Sequence, residues 1–285
     1  MGTVSIPVDI ANPGQVFACL GLLEAADLLY GPSEGCFDWD NEGEPQFILK
    51  SEQSEKPVED ILAFLVDATA FAVAPYGWVP PKGDATDLKP IGTFPANEPD
   101  NLSLPIVLQD TKGKIVSFGH WADGSGRDNF KLYAGNRSAL KIANDMLQAI
   151  AHLWEKQHNK LISDPFGTLC GMGGSFNFDP RGAWTALDVG YSLNDLKKAK
   201  VLEQKVMASP AVELLAAWGL EHARPDEISL RYYCYAVWDR LLPPQLARVA
   251  MSGNFAPIQQ RRYRFQLDMS GKNKIIRYAT EETTP

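Results

Sequence analysis

The chain has 285 residues, 27 of them Lys or Arg and 35 Asp or Glu, with 45% hydrophobic and 22% charged residues and a net charge of −8. That is enough chain for a large buried core, and the composition excludes a disordered, collagenous or coiled-coil protein. Taken as a total, the negative charge weighs against a nucleic-acid binder, which usually carries a basic face.

TVSIPVDI predicts a first strand. Asn12 as N-cap and Pro13 at the first helical position open a helix that runs through Leu29 to a stop at Gly31-Pro32. Its residues are apolar nearly all round, which predicts packing on more than one side. Cys36 to Trp39 and Gln46 to Lys50 predict a hairpin closed by an acidic turn containing Gly43. Pro57 opens a second helix with Ile61, Leu62, Leu65 and Val66 on one stripe. The density of prolines from Pro75 to Pro105 excludes a helix there and predicts a long loop with short extended pieces. LPIVLQ and KIVSFG flank Asp110-Thr111-Lys112-Gly113, a strong hairpin signal. A polar loop, HWADGSGRDNF, feeds a long helix from about Asn136 to Gln157. The glycine-rich passage PFGTLCGMGGSFNFDPRG follows, in which SFNFD predicts a strand. Ser209-Pro210 opens a helix to about His222, Leu230 to Trp238 predicts a central strand, and a hairpin turning through Ser270-Gly271 ends the chain. Strands and helices mix without a regular βαβ rhythm. This predicts an α+β fold of mostly antiparallel strands and hairpins with packed helices and irregular topology, in a single domain over 1–285 whose natural point of subdivision lies near 160–190.

No basic segment followed by an apolar run opens the chain. The most apolar stretch, Val16 to Leu29, is interrupted by Glu24 and Asp27 and is too short to span a bilayer. Cys19, Cys36, Cys170 and Cys234 are far apart and form no CxxC, so they predict buried reduced thiols, and together these features predict a soluble cytoplasmic protein.

Resolved by position, the charge changes its meaning. Residues 1–60 carry two basic residues, Lys50 and Lys56, against twelve acids, a net of −10, which leaves the remainder at +2. Two segments of that remainder are cationic. Residues 126–141 hold Arg127, Lys131, Arg137 and Lys141 against Asp128. Residues 261–277 hold Arg261, Arg262, Arg264, Lys272, Lys274 and Arg277 against Asp268. Both predict polyanion contacts. In the first, Gly124, Ser125, Gly126 and Asn129 let backbone amides approach a ligand, and a helix N-terminus near cations favours phosphate. In the second, strand alternation puts Arg262 and Arg264 on one face and Arg261, Tyr263, Phe265 and Leu267 on the other, interleaving cations with aromatics able to stack on bases. Gly171, Gly173 and Gly174 form a flexible loop that fits neither a Walker loop nor GxGxxG before a helix, and that is suited to lie against a nucleic-acid backbone. HExxH, GxSxG and paired-acid metal patterns are all missing from the sequence, so the expectation is a non-enzyme without metal or cofactor. The enzymatic alternative is an RNA-processing endonuclease with His120 as base, oriented by Asp123 or Asp128.

The run IPVDIANPGQVFACLGLLEAADLLYG resembles the large-subunit family of type I-G (formerly I-U) CRISPR interference complexes, as do FGHWADGSGRDNFKLYAGN, SFNFDPRGAWTALDVGYS and SPAVELLAAWGLEHARP. Together they cover roughly a third of the chain. The resemblance implies a non-catalytic subunit of an RNA-guided surveillance complex. Such a subunit sits by the 5′ end of the guide RNA, binds double-stranded target DNA beside the other Cascade subunits, senses the target-flanking motif and helps recruit the helicase-nuclease, while guide pairing reads the target sequence. Asn12 and Gln15, in the matched NPGQ, become candidates to touch the guide or a neighbouring subunit, with capping the simpler account of Asn12. An alternative within the same complex is a guide-RNA-binding backbone subunit. Residues 1–60 are expected to face away from nucleic acid, towards basic neighbouring subunits.

Overall fold

The computed structural model describes residues 1–40, 44–79, 88–91, 102–122, 130–134, 137–172, 174–182, 206–253, 257–270 and 272–282. Its architecture is α+β: among the described residues, five helices pack against several mostly antiparallel sheets. The strand β1 (Gly2–Pro7) lies beside β3 (Gln46–Ser51), which also pairs antiparallel with β2 (Ser33–Asp38), giving the order β1-β3-β2. The expected hairpin is therefore present, with Asp38 opposite Gln46.

Helix α1 (Pro13–Tyr30) begins as predicted. The Asn12 side chain accepts a hydrogen bond from the Gln15 N–H, and the helix ends at Gly31, whose φ of +78° suits glycine. Every residue from Pro13 to Ala26 is buried, which is why its sequence shows no polar face. Helix α2 (Pro57–Asp67) and the long α3 (Ala139–Ser163) pack on each other, and α4 (Pro210–His222) packs along α1. The α1–α4 contact is close because glycines face it. A Cβ on Gly21 would overlap the Leu215 carbonyl oxygen, and one on Gly219 would overlap that of Phe17. Ser138 caps α3 by accepting from Lys141 N–H, and Gln157 breaks its helical geometry at φ −139°, ψ 37°.

A second sheet, β5-β4-β6-β7, comprises β4 (Thr69–Pro75), β5 (Leu88–Ile91), β6 (Ile106–Gln109) and β7 (Ile115–Phe118). Its β6–β7 hairpin turns at Gly113 with φ +84°, as Asp-Thr-Lys-Gly requires. Two short strands, β8 (Cys170–Met172) and β9 (Val206–Ala208), pair with each other. The C-terminal sheet runs β10-β11-β12-β13, from β10 (Asp226–Ser229) and β11 (Tyr232–Trp238) to β12 (Gln260–Ser270) and β13 (Asn273–Ile276), with β14 (Thr280–Glu281) also on β12. Helix α5 (Pro244–Met251) covers part of β11.

One aromatic core joins these layers. Phe17 of α1 meets Phe130, Tyr235 and Phe265 edge-on at 6.1, 5.8 and 6.1 Å. Burying such a ring contributes about 2–3 kcal/mol, and each edge contact adds roughly 0.5–1.5 kcal/mol. All four cysteines are free; Cys19, Cys36 and Cys234 are buried and Cys170 is half-buried. Among the described residues no helix is long and apolar enough to cross a membrane.

The predicted strand at SFNFD is absent. Phe176 and Phe178 point into the core and Asn177 adopts φ +71°, but the segment pairs with no strand. Its backbone is satisfied by a side chain instead: Phe178 N–H and Asp179 N–H donate to Glu213 at 3.3 and 2.8 Å.

Candidate nucleic-acid interface

The two cationic segments are far apart in sequence, and the fold lays them side by side. Lys274 N–H donates to the Leu132 carbonyl at 2.9 Å, and Ala134 N–H donates to Asn273 Oδ1 at 2.8 Å. Residues 130–134 thus run against β13, and the β12–β13 hairpin joins the approach to α3 in one seam. Residues 130–141 and 260–277 together hold nine cations and one acid, Asp268.

Their individual environments differ. Lys131 Nζ donates to Ser103 Oγ and lies over the Tyr133 ring. Arg137 is exposed, and its guanidinium sits on Gly174: a Cβ there would stand 3.2 Å from Arg137 Nη1. The glycine-rich passage and the α3 entry, nearly forty residues apart, are therefore neighbours. Lys141 pairs with Asp145 at 3.5 Å one turn along α3. Arg277 pairs with Asp268 at 2.9 Å, Arg261 with Glu281 at 3.9 Å, and Arg262 with Glu282 at 3.5 Å. The last two acids lie at β14 and just beyond it, outside the segment whose charge the sequence singles out. Such exposed pairs contribute about 0–1 kcal/mol and open readily for a phosphate. Arg137, Arg264 and Lys272 make no ion pair among the described residues, and all three are exposed. Lys274 is half-buried, at the β13 edge.

Several expectations need correction. Asn12 is fully buried; besides capping α1, its Nδ2 donates to Asp179 Oδ1 at 3.2 Å, so it cannot touch a guide RNA. Tyr263 and Phe265 face the core at 4% and 1% exposure, with Tyr263 stacked on Tyr235, so neither can stack on a base. The alternation of β12 was legible, but its aromatic face is the inner one. Gly174 is buried under Arg137, and Gly171 lies in β8. Gln15 is 5% exposed; its Oε1 accepts from Asp9 N–H at 2.8 Å, and it lines a groove away from the cationic seam. His120 is buried against Trp121 and Phe178, with ring centroids 4.9 and 5.9 Å away. Gly124, Ser125, Gly126, Arg127, Asn129 and Gly173 lie outside the described residues, as do Asp123 and Asp128.

Sequence reasoning missed a highly connected polar cluster among the described residues. Asp179, fully buried, accepts from Asn12 Nδ2, from Ser209 N–H at 3.2 Å, and from Arg181 Nε and Nη2 at 2.9 and 2.6 Å. Arg181 also donates to the Phe166 carbonyl, and Ser209 Oγ donates to that of Pro165. Beside it, Glu213 is pushed up from the ordinary 4.5 to about 8, first by burial and then by the Asp179 charge, against the backbone N–H bonds that favour its anion. All the members are closed on one another, so the cluster is a structural hub. It ties together residues from distant stretches of the chain: Asn12, Asp179, and Ser209 with Glu213. Phe118 of β7 stacks on Trp218 of α4 at 6.4 Å.

Among the described residues no group of three or more His, Cys, Asp and Glu side chains is placed to hold a metal ion. The chain matches no known family, no characterised protein and no solved structure.

Proposed function

We propose that the chain is a non-catalytic, nucleic-acid-binding large subunit of an RNA-guided interference complex of the type I-G CRISPR class. On this reading it contacts the guide RNA and the target duplex, senses the flanking motif, and helps recruit the helicase-nuclease. The observation that carries the nucleic-acid part is the seam at Leu132–Lys274, where two cationic segments join and leave Arg137, Arg264 and Lys272 exposed without ion pairs among the described residues. Such a stripe suits a phosphate backbone, which sets register and affinity but carries no sequence information. The assignment to the complex rests on the four family-like runs. Three of these runs meet at the hub and the fourth packs on α4 through Phe118 and Trp218, which supports a shared scaffold, with recognition carried by the surface around it.

Two measurements test this. Binding of the full chain to labelled single-stranded RNA and duplex DNA, followed by anisotropy between about 50 and 200 mM salt, should weaken steeply as salt rises. The triple change Arg137→Ala, Arg264→Ala and Lys272→Ala should flatten the slope by about two to three units, with little preference for sequence. An unchanged slope removes the seam from the reading. In a reconstituted complex, omission of the chain should abolish flank-dependent duplex binding while sparing guide pairing to single strands. Intact flank-dependent binding refutes the subunit assignment.

A further inference from the structure

Away from the seam, the continuation of β1 and the end of the C-terminal sheet enclose a groove of about 830 Å³. Its lining carboxylates are Asp9, Glu44, Asp164 and Glu281, against a single cation, Arg261. Arg261 is already engaged: it lies over the Trp39 ring at 5.2 Å and pairs with Glu281 at a long 3.9 Å. The Arg181 guanidinium also feels the Asp164 charge, but it is held by Asp179, so the lining stays negative on balance and disfavours phosphate. Asp9 and Asp164 each spend one carboxylate oxygen on a backbone N–H, of Ala11 at 3.0 Å and Gly167 at 2.7 Å, and the second oxygen of each has no partner among the described residues.

A donor carried by a largely buried side chain sits in the same wall. Gln15 is 95% buried (5% exposed), and its Oε1 is fixed by Asp9 N–H, while its Nε2 has no hydrogen-bond partner among the described residues. With Gln15 lining the groove, the amide nitrogen is the polar atom left for a ligand. The required ligand therefore brings positive charge for the carboxylates and a carbonyl oxygen for Gln15.

The geometry points to a docking site for an arginine-bearing peptide segment of a partner protein, its guanidinium among Asp9, Asp164 and Glu281 and one of its backbone carbonyls on Gln15 Nε2. Arginine suits the site because its planar fork meets carboxylates in pairs and is weakly hydrated. The long Arg261–Glu281 pair is the one an incoming guanidinium would most easily replace. This site is independent of the nucleic-acid reading and stands or falls by itself.

The test is calorimetric titration of the full chain with a capped Gly-Arg-Gly-Arg-Gly peptide and with its citrulline counterpart, which keeps the shape and carbonyls but has no charge. The arginine peptide should bind, more weakly as salt rises, and at least about tenfold tighter than the citrulline peptide. Asp9→Asn with Glu281→Gln, both at exposed positions, should cost about tenfold in affinity at unchanged circular dichroism. Equal affinity for the two peptides overturns the proposal, as does an affinity unmoved by the double change. Displacement of the peptide by single-stranded RNA would also overturn it, assigning the groove to nucleic acid.

Discussion

Removing the Asp179 carboxylate should be among the most damaging single changes in the protein. Asp179→Ala strips the acceptor from Ser209 N–H, Asn12 Nδ2 and the Arg181 guanidinium, and Asp179 itself has no exposed surface. The Ser209 and Asn12 donors are fully buried, and leaving each without its bond costs about 1–2 kcal/mol. Breaking a buried ion pair from one side costs about 3–5 kcal/mol. Arg181 is 20% exposed at its side chain and keeps the Phe166 carbonyl, so its share falls to about 2 kcal/mol. Glu213 is protonated at neutral pH, so removing the Asp179 charge relieves little repulsion there. The expected total is about 4–5 kcal/mol, a large fraction of the 5–15 kcal/mol typical of a folded domain. With a urea m-value near 3 kcal/mol/M the midpoint falls by about 1.5 M. Asp179→Asn keeps the shape and one carbonyl acceptor, so it should cost about half as much. Urea unfolding followed by tryptophan fluorescence measures both. A loss under about 1 kcal/mol for the alanine variant, or equal losses for the two, would refute the hub.

Gly219→Ala should cost about 2–3 kcal/mol, because the new methyl meets the Phe17 carbonyl rather than a movable side chain; a thermal midpoint equal to wild type contradicts the close α1–α4 contact. Glu213 holds a proton in the folded state up to about pH 8 that the unfolded chain releases near 4.5, so its contribution makes the protein less stable as pH rises between those values. Urea midpoints at several pH values should show that decline in wild type and not in Glu213→Gln, and parallel profiles would refute it. Arg248 holds Glu24, 5% exposed, through bonds of 2.7 Å from Nε and Nη2; the His222 ring lies 3.7 Å away, but burial lowers its pKa and disfavours its charged form, so Arg248 is the cation that Glu24 depends on among the described residues. Arg248→Met should therefore cost about 2–3 kcal/mol, and Glu24→Gln in the same background should recover part of it; additive losses in this double-mutant cycle would show that the pair is not coupled.

What the sequence discloses about this fold follows the range of the interaction. Asn12, Pro13 and Gly31 set the ends of α1 by local hydrogen bonding and backbone preference, and Asp110 to Gly113 set the β6–β7 turn in the same way. SFNFD misleads because alternation reports which side chains go inward, not who satisfies the backbone. Here Phe176 and Phe178 do go inward, and Glu213, more than thirty residues away, takes the N–H groups that a neighbouring strand would have taken. The β4–β5 pairing inside the proline-rich stretch is equally illegible, since a parallel pair leaves no hairpin signal. The cationic segments were visible as composition. Their junction at Leu132–Lys274 was not, and neither was their partial neutralisation by Glu281 and Glu282, because both depend on chain returns that no local pattern encodes.

The pleat of β12 explains how an acidic chain can offer two surfaces of opposite sign. Arg261 stands opposite Val237 and shares the inner face with Tyr263, which carries it to the groove wall over Trp39. Arg262 and Arg264, opposite Ala236 and Cys234, lie on the other face, Arg264 exposed and Arg262 half-buried with Nη2 on Cys234 Sγ at 3.3 Å. Consecutive arginines therefore serve different surfaces: one is held among carboxylates, while the others contribute positive charge near the seam. Because side chains alternate with period two, slipping the β11–β12 register by one residue would bury Arg262 and Arg264 and expose Tyr263 and Phe265. The stacking of Tyr235 on Tyr263 and the Phe17–Phe265 contact forbid that slip. The aromatic residues of β12 thus act from inside, fixing which arginines the outer face can present.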